Sequence, residues 1–360
     1  MSGNRSDAAT RAERTIHFPA DYSLGRVSVR TRGDDNDLHW ETFADARGSV
    51  IVPAGTDVEL DVGGQASEDL RALTRLKPDD LQRLDLSQTP VTDDGLEYLR
   101  SLTELETLDI QHTRVSDDGL LRLAGLTKLR ELNLTGSKVC DAGIGHLRGL
   151  TNLEVLHLGL LELTDKGAAQ LAPLISLTDL GLWGTKITDA GLVCLKSLPA
   201  IETLHLGRTV VGDAGMAHVA EVSALRYLHL FETRVADAGM GSLARLPGLR
   251  TLDLSNTRVG DEGLRHIGMI DSLTMLGLSH TRVTDAGLIH LAGLTHLQGL
   301  HLQGTAVSDA GLEFLYGVAS LEVVAITDTN VTEPGLRRLA EALPNCKFWP
   351  LRSRAKDTRP

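Results

Sequence analysis

Aromatic residues are scarce in this sequence: they make up 3% of 360 residues, five Phe, three Trp and four Tyr, which excludes a core built on packed rings. Apolar residues still reach 42%, and Leu is by far the most frequent of them, so the core is expected to use one side chain over and over. Cysteine is scarce as well. Cys140, Cys194 and Cys346 are odd in number and far apart, which excludes a disulfide framework and a thiolate metal site and predicts buried, inert thiols in a reducing compartment. No uninterrupted apolar run approaches the roughly 18 residues of a membrane span. The opening segment MSGNRSDAATRAERT also lacks the apolar stretch of a secretion signal. Together these absences predict a cytoplasmic protein that does not engage membranes. Positive charge is in deficit, 36 Lys and Arg against 48 Asp and Glu for a net charge of -12, the opposite of what phosphate binding needs. The expected partner is therefore a protein or peptide, basic or neutral, and not a nucleic acid.

Internal repetition sets the architecture. From Leu81 the chain divides into eleven blocks of 24 residues ending at Pro344; LQRLDLSQTPVTDDGLEYLRSLTE is the first and LTMLGLSHTRVTDAGLIHLAGLTH, from Leu273, the ninth. The shared pattern is LxxLxLxxTxVTDAGLxxLxxLxx. Its LxxLxL segment alternates with period two, so Leu84, Leu86 and their counterparts point inward from a short strand while the variable residues face out. Leu96, Leu99 and Leu102 recur every third residue and line one side of a short helix that closes the core from behind. Thr89 and its counterparts end the strand, and their hydroxyls are expected to bond to nearby backbone, because buried amides in a turn need partners. Asp93 and its equivalents, through Asp309 and then Glu333, stand at the helix start and are expected to cap it by accepting from its free N–H groups. Gly95 and its ten equivalents are expected where a side chain would crowd the adjacent coil.

Flanking segments depart from the period. Residues 1–14 read as a disordered N-terminus. RTIHFP, GRVSVRT and GSVIVPAG within 15–56 look like strands of a small β cap, needed because a terminal coil otherwise exposes its core. Residues 57–80 read as a degenerate capping repeat with VELDV as its strand and Leu70, Leu73 and Leu76 as its helix positions. The eleven repeats occupy 81–345, and 346–360 supplies a last cover and a basic tail.

On the repeats quoted above, the chain resembles bacterial leucine-rich-repeat proteins, and its VTDAGL segment is similar to the cysteine-containing subfamily found in F-box substrate receptors. The resemblance covers roughly residues 57–345. It implies a ribonuclease-inhibitor-like horseshoe of the α/β class, a solenoid with a concave parallel sheet, helices outside and a role in protein recognition. Repeats of 24 residues, Thr where those relatives carry Cys, and the lack of an F-box segment in residues 1–56 set it apart from a ubiquitin-ligase adaptor.

Outward positions of the strands mark the candidate site. Position 5 of the successive blocks reads Asp85, Asp109, Asn133, His157, Gly181, His205, His229, Asp253, Gly277, His301 and Ala325, which places four of the thirteen histidines in one column. Positions 3, 7 and 8 add Tyr227, Leu160, Trp183, Arg208, Phe231 and Glu232. These large amphipathic groups gather on the fourth to seventh repeats, and Trp, Tyr and Arg dominate binding hot spots. The partner-binding set is thus His157, Leu160, Trp183, His205, Arg208, Tyr227, His229, Phe231, Glu232 and Asp253, on a monomer that needs no cofactor. Two alternatives stand beside it. His205, His229 and Asp253 could share a metal ion across neighbouring strands, or the solenoid could be a spacer whose activity lies in the N-terminal β module. No nucleophile–base pair, phosphate loop or HExxH motif points to an enzyme. Basic residues at position 10 and the helix-side His146, His218, His266 and His290 read as a solvated exterior.

Overall fold

The computed structural model describes residues 13–31, 39–63 and 69–349. Expectations for residues 1–12 and 350–360 lie outside them. The chain forms two compact units, Met1–Leu163 and Thr164–Pro360.

In the first unit, β1 (Arg14–His17) pairs antiparallel with β4 (Ser49–Val52), while β2 (Arg26–Thr31) lies antiparallel between β3 (Glu41–Asp45) and β5 (Thr56–Asp61). β3 carries no alternation, since its residues are nearly all exposed, and for that reason the sequence pattern passes it over. β5 then turns the sheet parallel by pairing with Arg83–Asp85, and Thr107–Asp109, Glu131–Asn133 and Val155–His157 follow. The second unit continues the motif from Asp179–Gly181 through Lys347–Trp349 in strictly parallel register. The middle residue of each repeat strand, Leu84, Leu108 and onward, faces its counterpart and is buried, and the residues on either side lie on the open face.

Behind the strands the chain forms very short helices: Asp93–Leu96 is α-helical and Glu97–Leu99 is a 3-10 turn. The leucine spacing explains this choice. A 3-10 turn has three residues per turn, so Leu96, Leu99, Leu102 and Leu105 fall in line, and each is fully buried. Burying one such leucine is worth about 1.5–3 kcal/mol relative to leaving it exposed.

Polar columns hold successive coils in register. The position-9 threonines, Thr89 to Thr329, donate to the carbonyl three residues earlier at 2.5–2.8 Å, as the turn required. The aspartates correct their expectation. They do not cap their own helices; where a side chain caps, it is the preceding hydroxyl, as in Thr188 and Thr284, that accepts from the helix backbone. The carboxylate reaches instead to the next coil, accepting from a backbone N–H 23 residues on: Ser116 to Asp93, Thr284 to Asp261 and Thr332 to Asp309, at 2.7–2.8 Å. Where that next residue carries a hydroxyl or thiol, it donates to the second oxygen, as Thr284 does to Asp261 at 2.6 Å and Cys140 to Asp117 at 2.8 Å. The glycine column follows from the same contact. A Cβ at Gly215 or Gly263 would stand 2.6 Å from Oδ1 of Asp189 or Asp237 in the preceding coil, so the side chain is excluded by the rung.

Hydrogen bonds to a charged group contribute about 1.5–3 kcal/mol each. Asp261→Ala is therefore expected to lower unfolding free energy by about 2 kcal/mol, read from the urea midpoint, whereas Asp94→Ala, at an exposed position next to the rung residue Asp93, changes it little. Equal effects of the two would refute the cross-coil role.

Candidate functional site

The strands Asp179–Gly181, Thr203–His205, Tyr227–His229 and Thr251–Asp253 pair so that Thr203 lies opposite Tyr227 and His205 opposite His229. That register decides the geometry of the histidines. Adjacent strands are roughly 4.8 Å apart, and the His205 and His229 rings stack with centroids 4.7 Å apart and planes 10° from parallel. Asp179 Oδ1 lies 3.5 Å from His205 Nε2. Burial holds the pKa of His229 below the ordinary histidine value, the neighbouring His205 lowers it further, and Asp253 and Asp179 oppose both.

Stacked rings hold their nitrogens side by side, whereas a tetrahedral ion needs lone pairs that converge. Asp253 is also engaged locally, since its Oδ1 accepts from the Ser255 N–H at 3.0 Å. The row His205, His229, Asp253 therefore does not form the shared metal site that strand spacing alone allowed.

Beyond the strands the chain turns at position 8, and there the backbone is left-handed in both units: Gln88, His112, Leu160, Arg208, Glu232, Asn256, His280 and Asp328 have φ of 54–59°, and Gly136, Gly184 and Gly304 of 66–69°. Bonds between coils impose this conformation, as when Arg208 N–H donates to Phe231 O at 2.8 Å. The sequence reading missed it, although the Gly, Asn and Asp scattered through the column are the residues that tolerate such a turn. Leu160 is the one aliphatic side chain among them and is 43% exposed. It combines the unfavourable backbone with an uncovered apolar side chain.

The expected contact residues divide between the units. His157, half-buried, and Leu160 belong to the first; the others belong to the second. Tyr227 is 38% exposed, and Trp183 and Phe231 are half-buried. The Phe231 ring lies over Gly207, where any Cβ would collide with it. Arg208 places its guanidinium 5.9 Å from the centroid of that ring and forms a two-pronged pair with Glu232 at 3.0 and 3.2 Å. Arg208 and Glu232, read separately as contact residues, thus act as one exposed ion pair, of small worth to stability. At the far end Trp349 lies opposite Ala325, extending the position-5 column, and is 62% exposed.

None of the thiols is set up as a nucleophile. Burial pushes Cys194 up to about 12 and Cys346 up to about 11, and the Cys140 thiol, donating to Asp117, is likewise raised; the thiolate is the reactive form. Among the described residues no helix is long and apolar enough to cross a membrane.

The family model described as Leucine Rich repeat matches residues 80–99, 101–124, 247–268 and 293–315. These are leucine-rich repeats. Solved structures of the same architecture align over most of the chain. An internalin (inlF) from Listeria monocytogenes str. 4b F2365 is similar at 23% identity with a TM-score of 0.63, covering 78% of this chain and 76% of the internalin. A TDR receptor is similar at 17% identity with a TM-score of 0.51, covering 81% of this chain but 55% of the receptor. At these identities the likeness shows the leucine-rich-repeat fold alone. No curated protein matches the sequence.

A neutral His229 in the fold has consequences for leucine-rich-repeat stability. Its folded pKa is depressed, so the unfolded chain binds more protons just below the ordinary histidine value of 6.5, and stability is lost as pH falls through that window. Urea unfolding at about pH 7.5 and about pH 5.5 is expected to show a smaller difference for His229→Gln than for wild type. An unchanged difference would contradict the assignment.

Proposed function

We propose that this leucine-rich-repeat chain is a binding scaffold, of adaptor or inhibitor type, that holds a protein or peptide on the open face of its sheet and carries out no chemistry of its own. Leucine-rich-repeat proteins generally mediate protein–protein interaction, which supports the class. The observation that carries the reading is the set of large rings held in fixed positions on a sheet face: Phe231 over Gly207, His205 against His229, with Tyr227 and Trp183 on the neighbouring positions. Rigid aromatic area binds with little ordering cost. Trp183, Tyr227 and Phe231 are the anchors; His205, His229 and Asp253 supply polar contacts between them. The Arg208–Glu232 pair can exchange its partners for charged groups of the ligand, and His157 and Leu160, in the first unit, stand at positions 5 and 8 of their own repeat.

The partner is to be captured with the full chain and its affinity measured by calorimetry. Alanine at Trp183, Tyr227 or Phe231 is expected to weaken binding by about 2 kcal/mol, roughly thirtyfold, with thermal unfolding nearly unchanged. His218→Ala and His266→Ala, on the helix side, are expected to leave affinity within about twofold. Full affinity in a folded Trp183→Ala, Tyr227→Ala, Phe231→Ala triple variant would move the site elsewhere and make the N-terminal strands the leading candidate.

A further inference from the structure

The first unit has an open face of a different chemistry. Its strands place Glu59, Arg83, Thr107, Glu131 and Val155 in one row, and Asp61, Asp85, Asp109, Asn133 and His157 in the next. Arg83 is the one Lys or Arg side chain in these rows, where His157 is the other basic residue, and Glu59 engages it at 2.7 Å. A depression of about 220 Å³ opens between the rows, lined by Arg83, Thr107, Asp109, Glu131, Asn133 and Val155 among others. It is smaller than the roughly 300–1,000 Å³ of pockets that enclose a small-molecule ligand. It has room for a single side chain.

Asp109 is the key lining group. Its carboxylate accepts only from neutral donors: the Gln111 N–H at 2.9 Å, the Gln111 side-chain amide at 3.1 Å and the Asn133 side-chain amide at 3.2 Å. Burial raises its pKa, with Asp85 adding to the effect, while the hydrogen bonds from Gln111 and Asn133 and the charge of Arg83 partly offset it. A half-buried carboxylate with only a distant cation is costly to the fold, and perturbed groups of this kind gather at functional sites. Glu131, on the other side of the depression, is about half exposed and forms only a long ion pair with Arg83, at 3.8 Å.

We propose that this depression receives one arginine side chain of the bound protein or peptide, its guanidinium bridging Asp109 and Glu131 and its methylene stem lying along Val155. The proposal rests on the reading that the sheet binds a protein, and adds a charged subsite to it. Arginine fits better than lysine for a stated reason. A planar fork of donors can satisfy two carboxylates at once, whereas an ammonium acts as a point charge. The aliphatic stem of the side chain also covers apolar surface while its head stays polar.

The test uses the full chain and small probes, so that it does not depend on knowing the partner. N-acetylarginine amide is titrated into isotopically labelled protein, with backbone and side-chain amide shifts followed by NMR, against N-acetylcitrulline amide as the uncharged isostere and N-acetyllysine amide. Saturable shifts confined to Thr107, Asn133 and their neighbours, at least tenfold weaker for citrulline, are expected. Asp109→Asn and, separately, the more exposed Glu131→Gln should each weaken the arginine response by at least fivefold in a spectrum that is otherwise unchanged. The Trp183→Ala, Tyr227→Ala, Phe231→Ala variant should leave it intact, so loss of partner binding in that variant and loss of arginine binding here are separate results. Equal shifts with arginine and citrulline, shifts spread over the acidic surface, or an undiminished response in both carboxylate variants would overturn the subsite.

Discussion

A coil of 24 residues cannot bury its own leucines. Every inward side chain, from Leu84 on the strand to Leu102 behind it, reaches full burial only because neighbouring coils lie against it, and the rest of the structure follows from that dependence. Stacking requires each coil to match the last in height and rotation. The aspartate rungs meet that requirement, joining residues 23 apart and leaving space that only glycine fits. The threonine hydroxyls close the turn locally, and the left-handed residue at position 8 lets the chain descend to the next level.

Because the coil-to-coil contacts satisfy the core, the open face carries little responsibility for stability. Residues there vary from repeat to repeat without disturbing the frame: Arg, Thr, Glu, Val, Asp, Thr and Tyr occupy position 3 in turn. Function can therefore be written on this face one column at a time, with the spacing between side chains set by the sheet. In the second unit that spacing brings two imidazoles into a stack and seats a phenylalanine ring on a glycine. In the first it lines carboxylates around a single arginine. The same frame presents two chemistries.

Much of this was legible before the fold was known. The 24-residue period gave the parallel register, and the period-two pattern identified Tyr227, His205 and His229 as outward residues. Trp183 and Phe231 were singled out as large amphipathic residues at position 7 in a chain with few rings. What escaped was of another kind. The exposed strand Glu41–Asp45 has no buried face to leave a pattern, and the Arg208–Glu232 pair joins two residues that were read as separate contacts.

The sequence by itself determined the repeat and its inward and outward positions, because these are periodic properties that neighbouring residues encode. The tertiary structure decided what each polar group is bonded to. Asp261 looks like a helix cap when its own block is read alone and proves to be a rung when the next coil is placed beside it; His205 and His229 look like converging ligands until the sheet stacks them face to face. Such partnerships join atoms a full coil apart in the chain, and their geometry is set by how coils pack, which no local pattern contains.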